Sequence, residues 1–165
     1  MTHGWLDASA LCKRYVPETG SVAVRHVLAR LPPERRHVLN LGLGEVLSVA
    51  VRRRNRGDLA AADFRTAMRL LTGDVRAGDY GNVWVVETPD AFAAFRHIAA
   101  HSLNATDAAI LHLSLALAAE LRAVGDDLAL VASDRRLLAA ARAEGLDAFD
   151  PEAQSTADFD VLIGP

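Results

Sequence analysis

The sequence predicts an α/β fold, a three-layer α/β/α sandwich with a mainly parallel sheet. Three observations predict this fold. Short apolar stretches of strand length alternate with longer stretches of helical periodicity along the chain. The 165 residues suffice for one domain with helices on both faces of a sheet. Ala, Leu and Val supply most of a hydrophobic content of 51%, which suits helices packed on a small buried sheet.

The first half of the chain begins with a predicted strand that ends at Asp7, followed by a helix from Ala8 or Ser9. The next predicted elements are a helix from a cap at Thr19 or Ser21 to Leu31, a strand over 37–40, a helix over 41–54 and a helix over 59–71. The pair Pro32-Pro33 stops the second helix, and Asp58 is the expected cap of the fourth.

The second half of the chain continues the alternation after Gly73, Gly78 and Gly81. Its predicted elements are a buried strand over 83–86, a helix over 88–101, a helix over 108–121 opened by a capping box at 104–107, a strand over 128–132, a helix from Asp134 to Ala143 and a short strand over 146–149. We therefore predict a single domain over residues 1–150. Residues 151–165 are expected to form a loosely held C-terminal tail.

Composition excludes several classes of protein. The net charge of −3 and the aromatic content of 5% do not indicate a generic basic nucleic-acid binder with base-stacking platforms. A lone cysteine, Cys12, excludes a disulfide framework and is expected in the core. The sequence shows neither a signal-peptide pattern nor an apolar stretch of membrane-spanning length. A cytoplasmic protein with no membrane partner is therefore expected.

Three acidic residues occupy similar places in the predicted fold. Asp7 and Asp134 each lie between the end of a predicted strand and the start of the next helix, and Asp107 lies in the first turn of a helix. The carboxyl ends of parallel strands are where open α/β sheets bind ligands. An aspartate at such a position also serves as a helix cap, and for Asp7 alone the two roles are evenly matched. The recurrence of the pattern favours a functional role.

Glu45 has a different setting, within a helix and beside an apolar face formed by Leu43, Val46, Leu47 and Ala50. Taken alone, a glutamate at the edge of such a face is expected to point into solvent. If it joined the three aspartates, their mutual repulsion would call for a divalent cation. Oxygen-only ligands favour Mg²⁺ or Mn²⁺ over zinc. Because Mg²⁺ keeps several waters and binds phosphate oxygens, such a site is typical of phosphoryl transfer or hydrolysis.

Four motifs in order resemble those of PIN-domain ribonucleases, and most of all the VapC-type toxins of bacterial toxin–antitoxin pairs. They are Leu-Asp-Ala-Ser-Ala-Leu from Leu6, Glu-Val-Leu-Ser-Val-Ala from Glu45, Asp-Ala-Ala-Ile-Leu-His-Leu from Asp107 and Val-Ala-Ser-Asp-Arg-Arg-Leu from Val131. The resemblance covers about Trp5 to Pro151 and includes the ending Phe-Asp-Pro. Two departures are the Leu-Gly-Leu-Gly segment before Glu45, which lacks the hydroxyl of many relatives, and the unmatched tail.

The resemblance implies a five-stranded parallel sheet with the acids at one end. It assigns Asp7, Glu45, Asp107 and Asp134 as metal-binding catalytic acids, with the hydroxyls of Ser9 and Ser133 in support. It also implies metal-dependent cleavage of RNA that leaves a 5′-phosphate and a 3′-hydroxyl. The implied partners are the RNA substrate, a cognate antitoxin that packs on apolar residues of the second and third helices, and a second copy in a homodimer.

Cationic side chains are needed to guide an anionic substrate to an acidic site. Arg135 and Arg136 directly follow a proposed metal ligand and are the favoured contacts, with Arg14 beside the first motif as a further candidate. Other candidates are Lys13 and the cluster Arg52, Arg53, Arg54 and Arg56. For this arginine cluster, a solvated helix end that complements the helix dipole is slightly favoured over a role in binding RNA. His97 and His101 have a helical ligand spacing, but no third ligand is evident, and His112 is expected in the core.

Competing functions are distinguished by single features. A HAD-like phosphatase needs a second aspartate two residues after the first, where this chain has Ser9. A response-regulator-like phosphoacceptor needs an early pair of acids and a lysine on a late strand, and this sequence does not show them. The main alternative is a catalytically inactive PIN-like module that binds a partner protein. Cleavage of total RNA with Mg²⁺, with and without EDTA, separates that module from a nuclease.

Overall fold

A computed structural model describes residues 1–164, which form one sheet with helices on both faces. The strands are β1 (Thr2–Leu6), β2 (Arg36–Leu39), β3 (Asn82–Trp84), β4 (Asp127–Val131) and β5 (Asp147–Phe149). The helices are α1 (Ala8–Leu11), α2 (Ser21–Arg30), α3 (Asn40–Arg56), α4 (Ala61–Ala77), α5 (Thr88–Ala93), α6 (Phe95–His101), α7 (Ala105–Ala123), α8 (Arg135–Ala143) and α9 (Thr156–Ile163). No single helix in this range has the length and apolar character that a membrane span requires.

All neighbouring strands in the sheet are parallel, and their spatial order is β3-β2-β1-β4-β5. The predicted α/β sandwich with a five-stranded parallel sheet is confirmed. The chain adds β2 and β3 on one side of β1, and then β4 and β5 on the other. This reversal brings the carboxyl ends of β1 and β4 together, which is where open α/β sheets bind ligands.

The two faces of the sheet bury separate apolar cores because side chains alternate along each strand. Leu6 and Val131 pack on one face with helices α1 to α4 and α9. Trp5 and Leu130 pack on the other face with helices α6 to α8. Cys12 is buried in the first core, as predicted. The sheet is therefore enclosed by two helical layers.

The strand predicted over 83–86 is not buried. It forms β3 at the edge of the sheet, where Val83 is 51% exposed, and Val85 just beyond it is also exposed. A run of valines predicts a strand but does not distinguish a central position from an edge. The expectation of a buried strand was therefore wrong, although the strand itself is present.

Helix boundaries differ from the predictions at three places. Asp58 does not cap α4, because its amide donates to the carbonyl of Arg53 and completes the turn that ends α3 at Gly57. α4 instead begins at Ala61 and runs through Gly73. The helix predicted over 88–101 is two helices with a break at Ala94, whose side chain is buried. α7 begins at Ala105, three residues earlier than predicted, with Asn104 as its cap.

Residues 151–164 of the predicted tail are not loosely held, and residue 165 lies outside the described residues. Ser155 and Asp158 form a capping box that opens α9, and Phe159 is almost fully buried. The ring of Phe159 meets that of Phe149 on β5, with 5.0 Å between the ring centroids. Asp160 accepts from Arg30 of α2 at 2.8 Å. The expectation of a loosely held tail was wrong because one aromatic and one cap hold this short helix against the first core.

Candidate functional site

Asp7 stands at the carboxyl end of the central strand β1. Its backbone amide donates to the carbonyl of Val131 at 2.9 Å and so continues the β1–β4 pairing by one residue. Its side chain caps α1 by accepting the amide of Ser9 at 2.8 Å. The carboxylate is buried and also lines a cavity at this edge of the sheet. The cap and the functional acid are therefore compatible roles of one residue.

The hydroxyl of Ser9 connects the ends of the two neighbouring strands. It donates to the carboxylate of Asp7 and accepts the backbone amides of Ser133 and Asp134 at 2.8 and 3.2 Å. Ser9 also lines the cavity. The predicted supporting role of Ser9 thus has a clear geometric basis, because one hydroxyl orients one acid and positions the backbone of another.

Asp134 caps α8 at the end of β4. One carboxylate oxygen accepts the amides of Arg136 and Leu137 at 2.8 and 3.0 Å. The same side chain lines the cavity that Asp7 lines. Ser133, the second predicted hydroxyl, contributes its amide to this arrangement, whereas its own hydroxyl is buried and has no hydrogen-bond partner among residues 1–164.

Asp107 lies in the first turn of α7 and faces the cavity from the helix layer. It exchanges two hydrogen bonds with Asn104: its amide donates to the Asn104 side-chain carbonyl, and the Asn104 amide group donates to its carboxylate, both at 2.8 Å. Asn104 therefore orients Asp107 and also lines the cavity. The sequence identified Asn104 only as a cap, although a cap with a side-chain N–H donor could have suggested this second role.

Glu45 reaches the same cavity from the second turn of α3. The helix begins directly after β2, so the Leu-Gly-Leu-Gly approach is helical and Gly42 lies close to Ala8 of α1. Glu45 is half-buried and lines the cavity, which favours its grouping with the three aspartates over the expectation, made for this residue alone, that it faces solvent. The apolar face beside it consists of Leu43, Val46 and Ala50, while Leu47 is 40% exposed.

The four acids share a cavity of about 280 Å³. Burial, followed by the charges of Asp7, Asp134 and Glu45, raises the pKa of Asp107 to about 7. Burial also raises the pKa of Asp7, against the hydrogen bonds from Ser9, and burial together with the charge of Asp7 raises the pKa of Glu45. The cluster therefore holds more negative charge than it can stabilise by itself at neutral pH.

This donor set fits a hard divalent cation. The described residues that line the cavity offer carboxylate, amide and hydroxyl oxygens, and no histidine or cysteine is among them. Oxygen ligands of this kind suit Mg²⁺ or Mn²⁺. A bound cation would also relieve the repulsion that raises the pKa of Asp107.

The predicted cationic residues are distributed differently from expectation. Arg14 donates to the carboxylate of Asp74 at 2.6 Å and lines a different cavity, so the fold does not bring it to the acidic cavity. Arg135 and Arg136 are exposed beside Asp134, and the charge of Arg136 offsets part of the rise that burial and the neighbouring acids cause in the pKa of Asp107. The cation that lines the acidic cavity itself is Arg52. Its spacing of two helical turns from Glu45 was the available signal.

Comparison with known proteins bears on the fold. No family model matches this chain, and no curated protein sequence matches it. Its fold is similar to the crystal structure of PAE2754 from Pyrobaculum aerophilum, with a TM-score of 0.58 and 20% sequence identity. The similarity covers 98% of this chain and 95% of that one. At this identity, the likeness shows a shared α/β architecture over nearly the whole length of both proteins.

Proposed function

We propose that this protein is a metal-dependent endoribonuclease of the PIN-domain type and the toxin of a toxin–antitoxin pair. One observation carries the proposal. Four carboxylates from four separate segments, Asp7, Glu45, Asp107 and Asp134, line one cavity at the point where the strand order reverses. The convergence of acids from such distant parts of the chain supports a functional site over a solvated surface.

These four acids would hold Mg²⁺ or Mn²⁺, which when bound supplies Lewis-acid catalysis and activates water for attack on phosphorus. The protein's own side chains prepare the site. Ser9 orients Asp7, and Asn104 orients Asp107. Either Asp107 or Asp134, which both line the cavity, would accept the proton of the attacking water.

The substrate backbone carries a negative charge at each phosphate, so cations at the rim of the site are required. Arg52 lines the cavity, and Arg135 and Arg136 lie exposed next to Asp134. Hydrolysis adds water across the phosphodiester and breaks the P–O3′ bond. The products are a 5′-phosphate and a 3′-hydroxyl, because water and not the ribose 2′-hydroxyl is the nucleophile.

The test is cleavage of total RNA by the purified protein with Mg²⁺, with and without EDTA. Asp7→Asn and Asp107→Asn should abolish cleavage, while Glu120→Gln, an exposed acid on α7, should cleave as the unsubstituted protein does. Circular dichroism should show the same fold for all variants. An unsubstituted protein that cleaves no RNA with Mg²⁺ would favour the alternative, an inactive PIN-like module that binds a partner protein.

The toxin assignment adds an antitoxin, a homodimer and a cytoplasmic location to the proposal. Apolar side chains exposed on the second and third helices support it: Val22 on α2, and Leu41 and Leu47 on α3. Phe92 and Phe95 are also exposed, with their rings edge to face. Light scattering on the purified protein tests the dimer, and co-purification with the product of a short neighbouring reading frame tests the antitoxin. A monomer, or the lack of such a partner, would remove that part of the proposal.

A further inference from the structure

A second cluster of ligand-type side chains lies away from the acidic site. His97 and His101 are one turn apart on α6, and their rings stack with 6.1 Å between centroids. Glu144, at the end of α8, approaches both rings: its carboxylate oxygen lies 2.7 Å from His101 Nε2 and 3.5 Å from His97 Nδ1. The sequence offered no third ligand for the two histidines, and the fold supplies one from 43 residues away.

We propose that His97, His101 and Glu144 form a binding site for a divalent transition metal of the zinc class. One ligand atom from each side chain lies within 4.8 Å of the other two. Two imidazoles and one carboxylate are a ligand set that zinc accepts, with a fourth position left for water. Imidazole nitrogen selects zinc and its neighbours over Mg²⁺, so this site differs in chemistry from the oxygen-only acidic cavity.

The surroundings of the cluster suit a metal ligand. His97 is almost fully buried, so its ring is held in place beside Glu144. His112 packs beside it, with 6.2 Å between ring centroids, and its Nδ1 is buried with no hydrogen-bond partner in the described part of the chain. His112 in turn approaches Asp90. Further polar side chains therefore pack close to His97.

The contact between Arg96 and His97 opposes metal binding, and its removal therefore provides a further test. Arg96 Nε donates to His97 Nε2 at 3.1 Å, which leaves the ring proton on Nδ1, the atom that faces Glu144. Ligation through Nδ1 needs the other tautomer, so the exposed Arg96 side chain would have to release Nε2. Its positive charge also repels a cation. Removal of Arg96 should therefore strengthen metal binding.

The two sites are separate and can be tested independently. Asp134 caps the start of α8 and Glu144 its end, and a nine-residue helix places these caps about 15 Å apart. The experiment uses tag-free protein with Asp107→Asn in every sample, so that Zn²⁺ binding to the acidic cavity is weakened throughout. Zn²⁺ is titrated by calorimetry in saturating Mg²⁺, and visible absorption with Co²⁺ reports nitrogen ligation.

We expect one Zn²⁺ per chain and a higher Tm with Zn²⁺ than without. His101→Ala and Glu144→Gln, both at partly exposed positions, should each weaken binding by at least about tenfold. Arg96→Ala should tighten it. His26→Ala is the matched control, because His26 also pairs with an acid, Asp160, but has no second histidine beside it.

Saturable 1:1 binding that both ligand variants weaken would support the site. The proposal would be overturned by a titration without saturable binding. It would equally be overturned if His101→Ala or Glu144→Gln bound Zn²⁺ as tightly as the parent protein with an unchanged metal-free Tm. RNA cleavage is not measured in this experiment, so either outcome leaves the proposed nuclease function unaffected.

Discussion

The hydroxyl of Ser9 accepts the backbone amide of Asp134, 3.2 Å away and 125 residues further along the chain. The same hydroxyl donates to Asp7, so a single oxygen sets the relative positions of two acids that follow different strands. β1 and β4 are neighbours in the sheet, and this contact joins them just beyond their last paired residues. The geometry of the acidic cavity therefore depends on a residue that carries no charge.

Replacement of Ser9 by alanine should lower both stability and activity. The change removes a donor to a buried carboxylate and leaves the amides of Ser133 and Asp134 without their acceptor, at a cost of about 2 kcal/mol in the free energy of unfolding. In RNA cleavage, kcat should fall by a larger factor than KM rises, because the acids shift while the contacts with the substrate remain. Chemical denaturation and steady-state kinetics measure the two effects. Ser48→Ala, which removes an exposed hydroxyl on α3, is the control, and equal behaviour of the two variants would contradict the prediction.

Asp107→Asn should stabilise the metal-free protein above neutral pH. The pKa of Asp107 is raised to about 7 in the folded protein from 3.8, so the folded state binds more protons and loses stability as the pH rises from about 4 to 7. The asparagine variant does not lose stability in this way. At pH 8 its free energy of unfolding should exceed that of the unsubstituted protein by about 2 kcal/mol, after allowance for solvent screening. Added Mg²⁺ should raise the Tm of the unsubstituted protein more than that of the variant. Parallel curves of Tm against pH would refute the prediction.

Arg52→Ala should weaken RNA binding more than Arg56→Ala. Both arginines are exposed on α3, but only Arg52 lines the acidic cavity. Loss of one phosphate contact should raise KM several-fold and reduce the salt dependence of binding by about one counterion. Cleavage rates over a range of salt concentrations measure both quantities. A larger effect of Arg56→Ala would contradict the proposed contact between Arg52 and the RNA.

His37 should remain neutral at acidic pH. It accepts from Trp84 Nε1 at 3.0 Å and lies 3.0 Å from His3. Burial, followed by the charge of His3, lowers its pKa to about 4. Since the unfolded chain takes up this proton near pH 6.5, stability falls as the pH drops from 6.5 towards 4, by about 2 kcal/mol from this group. NMR titration of the imidazole is the direct measurement, and a midpoint near 6.5 would show that the ring is not shielded.

Phe159→Ala should destabilise the fold even though it lies beyond the last strand. The ring is 1% exposed and packs on Phe149, so its removal should cost about 3 kcal/mol. Val161→Ala on the same helix is the control, because Val161 is 83% exposed and should cost less than about 0.5 kcal/mol. Urea denaturation compares the two variants. Equal midpoints would mean that α9 contributes nothing to the core.

The order of strands and helices was determined by local patterns. Apolar runs of strand length ended at or near Asp7 and Asp134, and helical periodicity placed Asp107 in a first turn. Since carboxyl ends of parallel strands share one edge, these positions predicted that the three aspartates would meet. The edge position of β3, the break at Ala94 and the helix around Phe159 were not predicted, because periodicity reports which face of an element is apolar and not what covers it.

The sequence by itself determined the α/β class and the edge of the sheet at which three of the acids lie. Only the tertiary structure decided that Glu45 turns towards them, that Arg14 pairs with Asp74 while Arg52 lines the cavity, and that Glu144 meets two histidines of α6. The physical reason is that strand and helix patterns repeat over a few residues. A contact between distant segments depends on how the helical layers pack against the sheet, which no local pattern records.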